Sequence, residues 1–239
     1  MSSILPSPPP PSLLTAEPYA EVSIYDQILR DILEGRLEAN ERLKVTALAS
    51  RYGTSTNPVR EALQQLRGEG YVIITPNRGA RVRPIDEDFA RDIYEVEALI
   101  EPYLTAWFVS IATDEAIKKL EAVQDEIEAL GFEDPLRHSE LDTRFHQIVY
   151  DGHYNRHAAD LWWRHREILR AIARRFPYSM VRRKEILTEH RQIIEKIKAQ
   201  DAAGAAEVVR THILGSGRHI VEHMRAARNR KLSANATRS

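Results

Sequence analysis

Helical periodicity runs almost unbroken from Asp86 to Ala227, while glycine, proline and strand-like signals crowd into residues 19–84. A chain divided in this way separates into a small mixed module and a larger helical one, each burying its own apolar faces. We place the boundary near Pro84, just before Asp86, whose carboxylate suits the cap of a new helix. The expected organisation is a disordered Pro-rich tail over residues 1–17, a first module over 18–84, an all-helical module over 85–228 and a disordered tail over 229–239. Pro6 and Pro8 to Pro11 favour extended, unpacked backbone in the first tail, and the second lacks apolar periodicity.

In the first module Ile24, Ile28, Leu29, Ile32 and Leu33 fall on one face of a helix that ends at Gly35. Thr46 suits the cap of a short helix carrying Leu48, Ala49 and Tyr52, stopped by Gly53. Ser55 or Thr56 can begin a third, with Pro58 in its first turn and Val59, Ala62, Leu63 and Leu66 inward. Tyr71 to Thr75 and Ala80 to Arg83 read as two strands around the turn Pro76-Asn77-Arg78-Gly79. Helix, tight turn, capped helix and hairpin make a winged helix-turn-helix, so the expected fold is mainly α, this module preceding an antiparallel all-α bundle of about six helices.

Such a module reads DNA only if it offers a local cationic surface. The 239-residue chain has a formal net charge of −1, and residues 19–84 hold ten Lys/Arg against eight Asp/Glu. The candidate contacts are Lys44, Thr46 and Arg51 around the short helix, Ser55, Thr56, Asn57, Arg60 and Arg67 on the third, and Arg78 and Gly79 in the wing. There is no cysteine, which excludes disulfides, thiolate metal sites and Cys nucleophiles and fits a reducing cytoplasm. The most apolar stretch, Ala98 to Ala112, is broken by Glu101 and Pro102 and is too short for a bilayer, and the N-terminus lacks the pattern of a signal peptide.

The run from Leu48 to Leu63, with Pro58-Val59-Arg60-Glu61-Ala62-Leu63 at its end, followed by Leu66, Gly70-Tyr71-Val72 and Arg78-Gly79, resembles the GntR family of bacterial regulators. The resemblance implies a helix from Asn57 in the major groove, with Arg60 on guanine or phosphate, and a wing at the minor groove or backbone. It also implies a homodimer on double-stranded operator DNA. Three positions depart from the pattern: Thr56 replaces a common arginine, Thr46 a charged residue, and Asn40 a turn glycine.

Six helical segments fit the second module, near 86–111, 114–130, 135–152, 156–175, 179–199 and 202–227. Polar residues intrude on three of their apolar stripes. Asp142 and His146 lie four apart beside Leu141, Phe145 and Val149, His190 sits among Ile186, Leu187, Ile193 and Ile194, and His212 among Val208, Val209 and Ile213. Any one of these histidines is readily a hydrogen-bonded core residue, but three imidazoles and a carboxylate facing one interior make an N/O ligand set for a divalent metal such as Zn²⁺, Ni²⁺ or Mn²⁺. His219 and His223, amid arginines, read as surface residues.

Asp142-Thr143-Arg144-Phe145-His146, Glu189-His190 and Arg210-Thr211-His212-Ile213 make this module similar to the FCD ligand-binding domain. That similarity implies a metal held by Asp142, His146, His190 and His212, facing a cavity for a small organic acid effector. Glu97 stands where the family shows an arginine that helps hold an anion, although Glu101 is in place. Two other readings remain: a regulator responding to the metal alone, and a metal-dependent all-α enzyme. Against the enzyme stands the absence of a His-Glu-x-x-His helix, a phosphate loop or a Gly-x-Ser-x-Gly elbow.

Overall fold

The computed structural model describes residues 23–76, 78–131 and 133–236; the proline-rich stretch lies outside them. The chain divides into two compact units after Ile85. Among the described residues no helix is long and apolar enough to cross a membrane.

The first unit orders α1 (Ile24–Leu33), β1 (Arg42–Leu43), α2 (Val45–Arg51), α3 (Thr56–Gly68), β2 (Val72–Thr75) and β3 (Gly79–Val82). Its core is built from Ile28, Ile32, Leu48, Val59, Leu63, Leu66, Val72 and Val82, all under 5% exposed, so the three helices and the hairpin share one apolar centre. β3 is central in the antiparallel order β1-β3-β2, with Arg81 opposite both Arg42 and Ile73. Local signals had no means of revealing β1, because two residues become a strand only by pairing with a partner about forty positions away.

Two capping expectations need correction. Lys44, not Thr46, occupies the N-cap of α2, and Thr46 lies inside the first turn. Ser55 is the N-cap of α3, but its side chain makes no capping hydrogen bond. Asn40 adopts φ 66°, the left-handed conformation that glycine takes readily and asparagine tolerates better than most residues. Its N–H donates to the Val82 carbonyl (3.0 Å) and its carbonyl accepts from Arg81 Nη1 (2.8 Å), which holds the turn before β1.

The second unit holds α4 (Glu87–Ile111), α5 (Asp114–Leu130), α6 (Pro135–Tyr150), α7 (Arg156–Arg175), α8 (Met180–Lys198) and α9 (Ala202–Ala236). Asp86 caps α4, accepting from the Phe89 N–H at 3.0 Å. The last helix continues past residue 228 to Ala236, where the sequence suggested fraying; Ala226, Ala227, Arg228 and Arg230 are strong helix formers that need no apolar face. The longest helix pair is α4 with α9. Gly217 lets the backbones approach, since a Cβ there would meet Tyr94 Cβ at 2.8 Å. Pro102 lies inside α4 and cannot donate to the carbonyl of Ala98. Arg210 of α9 replaces the missing donor, its Nη1 reaching Ala98 O at 2.9 Å.

Candidate functional site

Burial of Val59, Ala62, Leu63 and Leu66 turns the opposite face of α3 outward, so Asn57, Arg60 and Arg67 are exposed, with Thr56 half-buried. Arg60 and Arg67 stand two turns apart on that face. The unused hydroxyl of Ser55 and the free N–H groups of the first turn of α3 suit phosphate oxygens. Lys44 and Thr46 are exposed at the start of α2, and Arg78 and Gly79 in the wing, where Gly79 takes φ 77°.

Arg51 is differently placed from the others. Its guanidinium pairs with Asp31 of α1 at 2.5 Å, and Tyr52 Oη and Arg36 Nε donate to the same carboxylate. Burial works to raise the Asp31 pKa, but these donors and charges outweigh it and hold the carboxyl below its usual value. Arg51 therefore braces α2 against α1 while staying part-exposed. Two exposed arginines of the sheet, Arg42 and Arg81, are candidates that sequence reading left out of the contact set.

In the second unit α6, α8 and α9 bring His146, His190 and His212 together: one ring nitrogen from each lies within 4.8 Å of the others, and all three residues are at most 4% exposed. Each Nδ1 already has a partner. His190 Nδ1 donates to Gln124 Oε1 (2.9 Å), His212 Nδ1 to Glu189 Oε2 (2.7 Å), and His146 Nδ1 to the Tyr150 oxygen (3.4 Å), whose own proton goes to Glu101 (2.8 Å). That fixes the tautomers and leaves the Nε2 lone pairs for a ligand. The Nε2 atoms of His146 and His190 are buried with no hydrogen-bond partner. Burial pushes the His190 pKa down to about 3 against the pull of Asp142, and pushes His146 well down too, so both rings are neutral bases.

Buried unpartnered lone pairs with outer-sphere donors behind them fit a divalent metal better than a self-contained polar core. Asp142 sits at the edge of the cluster, with Oδ1 3.5 Å from His190 Nε2 and Oδ2 ion-paired with Arg166 of α7. A second chain of contacts fixes the helices: Arg182 donates to both oxygens of Glu189 (2.7 and 2.8 Å) and to the His212 carbonyl (2.8 Å).

The departure at residue 97 also finds a partner. Glu97 Oε1 lies 2.5 Å from His165 Nδ1, and burial raises the carboxyl to about 8 while lowering the imidazole to about 4. Desolvation favours the uncharged pair, a carboxylic acid donating to an imidazole. His219, read as a surface residue, is part-buried and accepts the Ser179 N–H at the start of α8 (3.0 Å).

Beside the histidines lies a cavity of about 340 Å³, lined by Asp142, His212 and Glu101 at one end, by Arg166, Arg170 and Arg174 along α7, and by Ile186, Ile213, Tyr94 and Tyr178. Its volume suits a small organic molecule. The arginines are spaced at i, i+4 and i+8, a pattern visible in the sequence but indistinguishable there from a solvated helix face.

Residues 20–82 match the model of "Bacterial regulatory proteins, gntR family", and residues 92–215 match the FCD domain. The HTH-type transcriptional repressor GlaR of Escherichia coli K12 is 29% identical over 208 residues, covering 80% of this chain and 90% of that protein. The uncharacterized HTH-type transcriptional regulator YdhC of Bacillus subtilis 168 is 28% identical, covering 85% and 90%. Among solved structures, Lar of Listeria monocytogenes superposes with a TM-score of 0.63 at 19% identity, covering 86% of this chain and 99% of that one, which shows the shared fold.

Proposed function

The chain belongs to the GntR family of bacterial regulatory proteins and carries its FCD domain, and on that premise we propose that it is an effector-controlled, metal-containing homodimeric repressor. That it is a DNA-binding transcriptional regulator follows from the family; the metal, the effector, the dimer and the sign of regulation are the reading argued below.

The observation that carries the metal is the convergence of three buried imidazoles whose outward nitrogens are all engaged. His146, His190 and His212 would hold it, with Asp142 as the carboxylate ligand. The metal would supply a Lewis-acidic anchor for a carboxylate. The chain's own residues do the rest. Gln124, Glu189 and Tyr150 orient the rings, Arg166 steadies Asp142, and Ile186 and Ile213 give the cavity apolar walls. The cavity beside the histidines favours an organic acid effector over a response to metal alone.

On DNA, one recognition helix spans only a few base pairs, so two copies on a near-palindromic operator double the contact. The test is an operator-binding titration by fluorescence anisotropy, with sedimentation of the complex, on metal-stripped protein, after Zn²⁺, Ni²⁺ or Mn²⁺, and then with small carboxylic acids. The expected result is two copies per operator, stoichiometric metal, and release from DNA only when the acid is present. Metal absent from purified protein and without effect on Tm would reduce the histidines to a hydrogen-bonded cluster.

A further inference from the structure

One cation in the effector cavity is left incompletely paired. Arg170 is 6% exposed, its Nη1 donates to Glu167 at 2.9 Å and its Nε to Ser139 Oγ at 3.3 Å, yet Nη2 is buried without a partner. A buried cationic N–H without an acceptor is costly, and a charged oxygen is the acceptor that relieves it best. Around it the lining sets four guanidiniums, Arg166, Arg170, Arg174 and Arg183, against two carboxylates, Asp142 and Glu101. Asp142 is already ion-paired with Arg166, and burial raises Glu101 to about 8, so the positive side of the cavity is in surplus.

The surplus is also displaced from the histidines. Arg166 grips Asp142 beside His190, and Arg170 stands one turn further along α7, about 6 Å of helix rise away. An effector with a single carboxylate at the histidine end leaves Arg170 as it is. A second carboxylate at that spacing completes it.

We infer that the effector is a dicarboxylate, its first carboxylate at the Asp142–Arg166–histidine end of the cavity and its second on Arg170, with Arg174 beside it. About 6 Å between the two ends corresponds to a linker of roughly two to four methylenes. The inference rests on the organic-acid reading of the cavity and narrows it to one charge class and length. Glu97 leaves it untouched, because the cation comes from α7.

The test is isothermal titration of metal-loaded, full-length protein with succinate, glutarate and adipate against butyrate, valerate and hexanoate, repeated on Arg170→Gln and Arg174→Ala. The expected result is that the best dicarboxylate binds at least about tenfold tighter than the monocarboxylate of equal length. Arg170→Gln should erase that preference while leaving monocarboxylate affinity within about threefold, and Arg174→Ala should reduce it. Equal affinity for the two classes in the wild-type protein overturns the second subsite and leaves the organic-acid reading standing. Binding of neither class overturns both. Should Arg170→Gln lower the unliganded Tm, the wild-type ratio and Arg174→Ala decide the matter alone.

Discussion

His190 has one ring nitrogen on Gln124 and the other buried without a partner beside Asp142, and its fate on truncation separates a ligand from a packing residue. His190→Ala and His212→Ala should each abolish stoichiometric metal and the rise in Tm that metal confers, whereas His223→Ala should do neither; metal analysis and thermal melts read both. The metal-free protein should also carry a pH signature. His190 falls from an ordinary value near 6.5 to about 3 on folding, so below about pH 6.5 the unfolded chain binds the proton that the folded chain refuses. Stability from this group is therefore full above pH 6.5 and is lost as pH falls towards 3, by up to about 1.4 kcal/mol per unit. Glu97 and Glu101, raised to about 8, act oppositely, so the comparison is wild type against His190→Gln: the wild type should lose ground to the variant as urea melts move from pH 7 to pH 4.5. The three imidazoles were legible because each interrupts an apolar stripe on its own helix. Gln124, Glu189 and Tyr150 were not, since each is an unremarkable polar or aromatic position until another helix delivers an imidazole to it.

Helix boundaries were legible for a local reason: Asp86, Thr113, Asn155 and Ser179 each accept an N–H in the first turn, and such caps are written in short stretches of sequence. What crosses between helices was not. Pro102 signalled a defect in α4, but its repair comes from Arg210, more than a hundred residues on. Arg210→Ala leaves the carbonyl of Ala98, itself 4% exposed, without its donor and should destabilise the second unit by about 1–3 kcal/mol. Arg210→Lys, which keeps a donor but shortens and narrows it, should recover part of that loss. Chemical denaturation of the three proteins measures both steps, and an unchanged midpoint for Arg210→Ala would show that water takes the carbonyl over.

For the molecule as a regulator, the outward face of α3 decides where it acts. Arg60→Ala should weaken specific operator binding by roughly 1–3 kcal/mol without changing Tm, as one good base or phosphate contact would. Unchanged affinity for the cognate operator would remove Arg60 from the interface. Effector and operator binding, if coupled, are coupled equally in both directions, so DNA must alter effector affinity by the factor that effector alters DNA affinity. The burial of the histidines has a consequence in time rather than in energy. Their rings come from α6, α8 and α9 and are at most 4% exposed, so replacing whatever they hold requires local opening of three packed helices, a motion far slower than diffusion of a small acid into the neighbouring cavity. A bulky chelator added to the loaded protein should therefore strip it over minutes to hours, while stopped-flow mixing shows the acid exchanging within milliseconds to seconds. On the lifetime of a transcriptional response the metal would be a fixture and the acid the message.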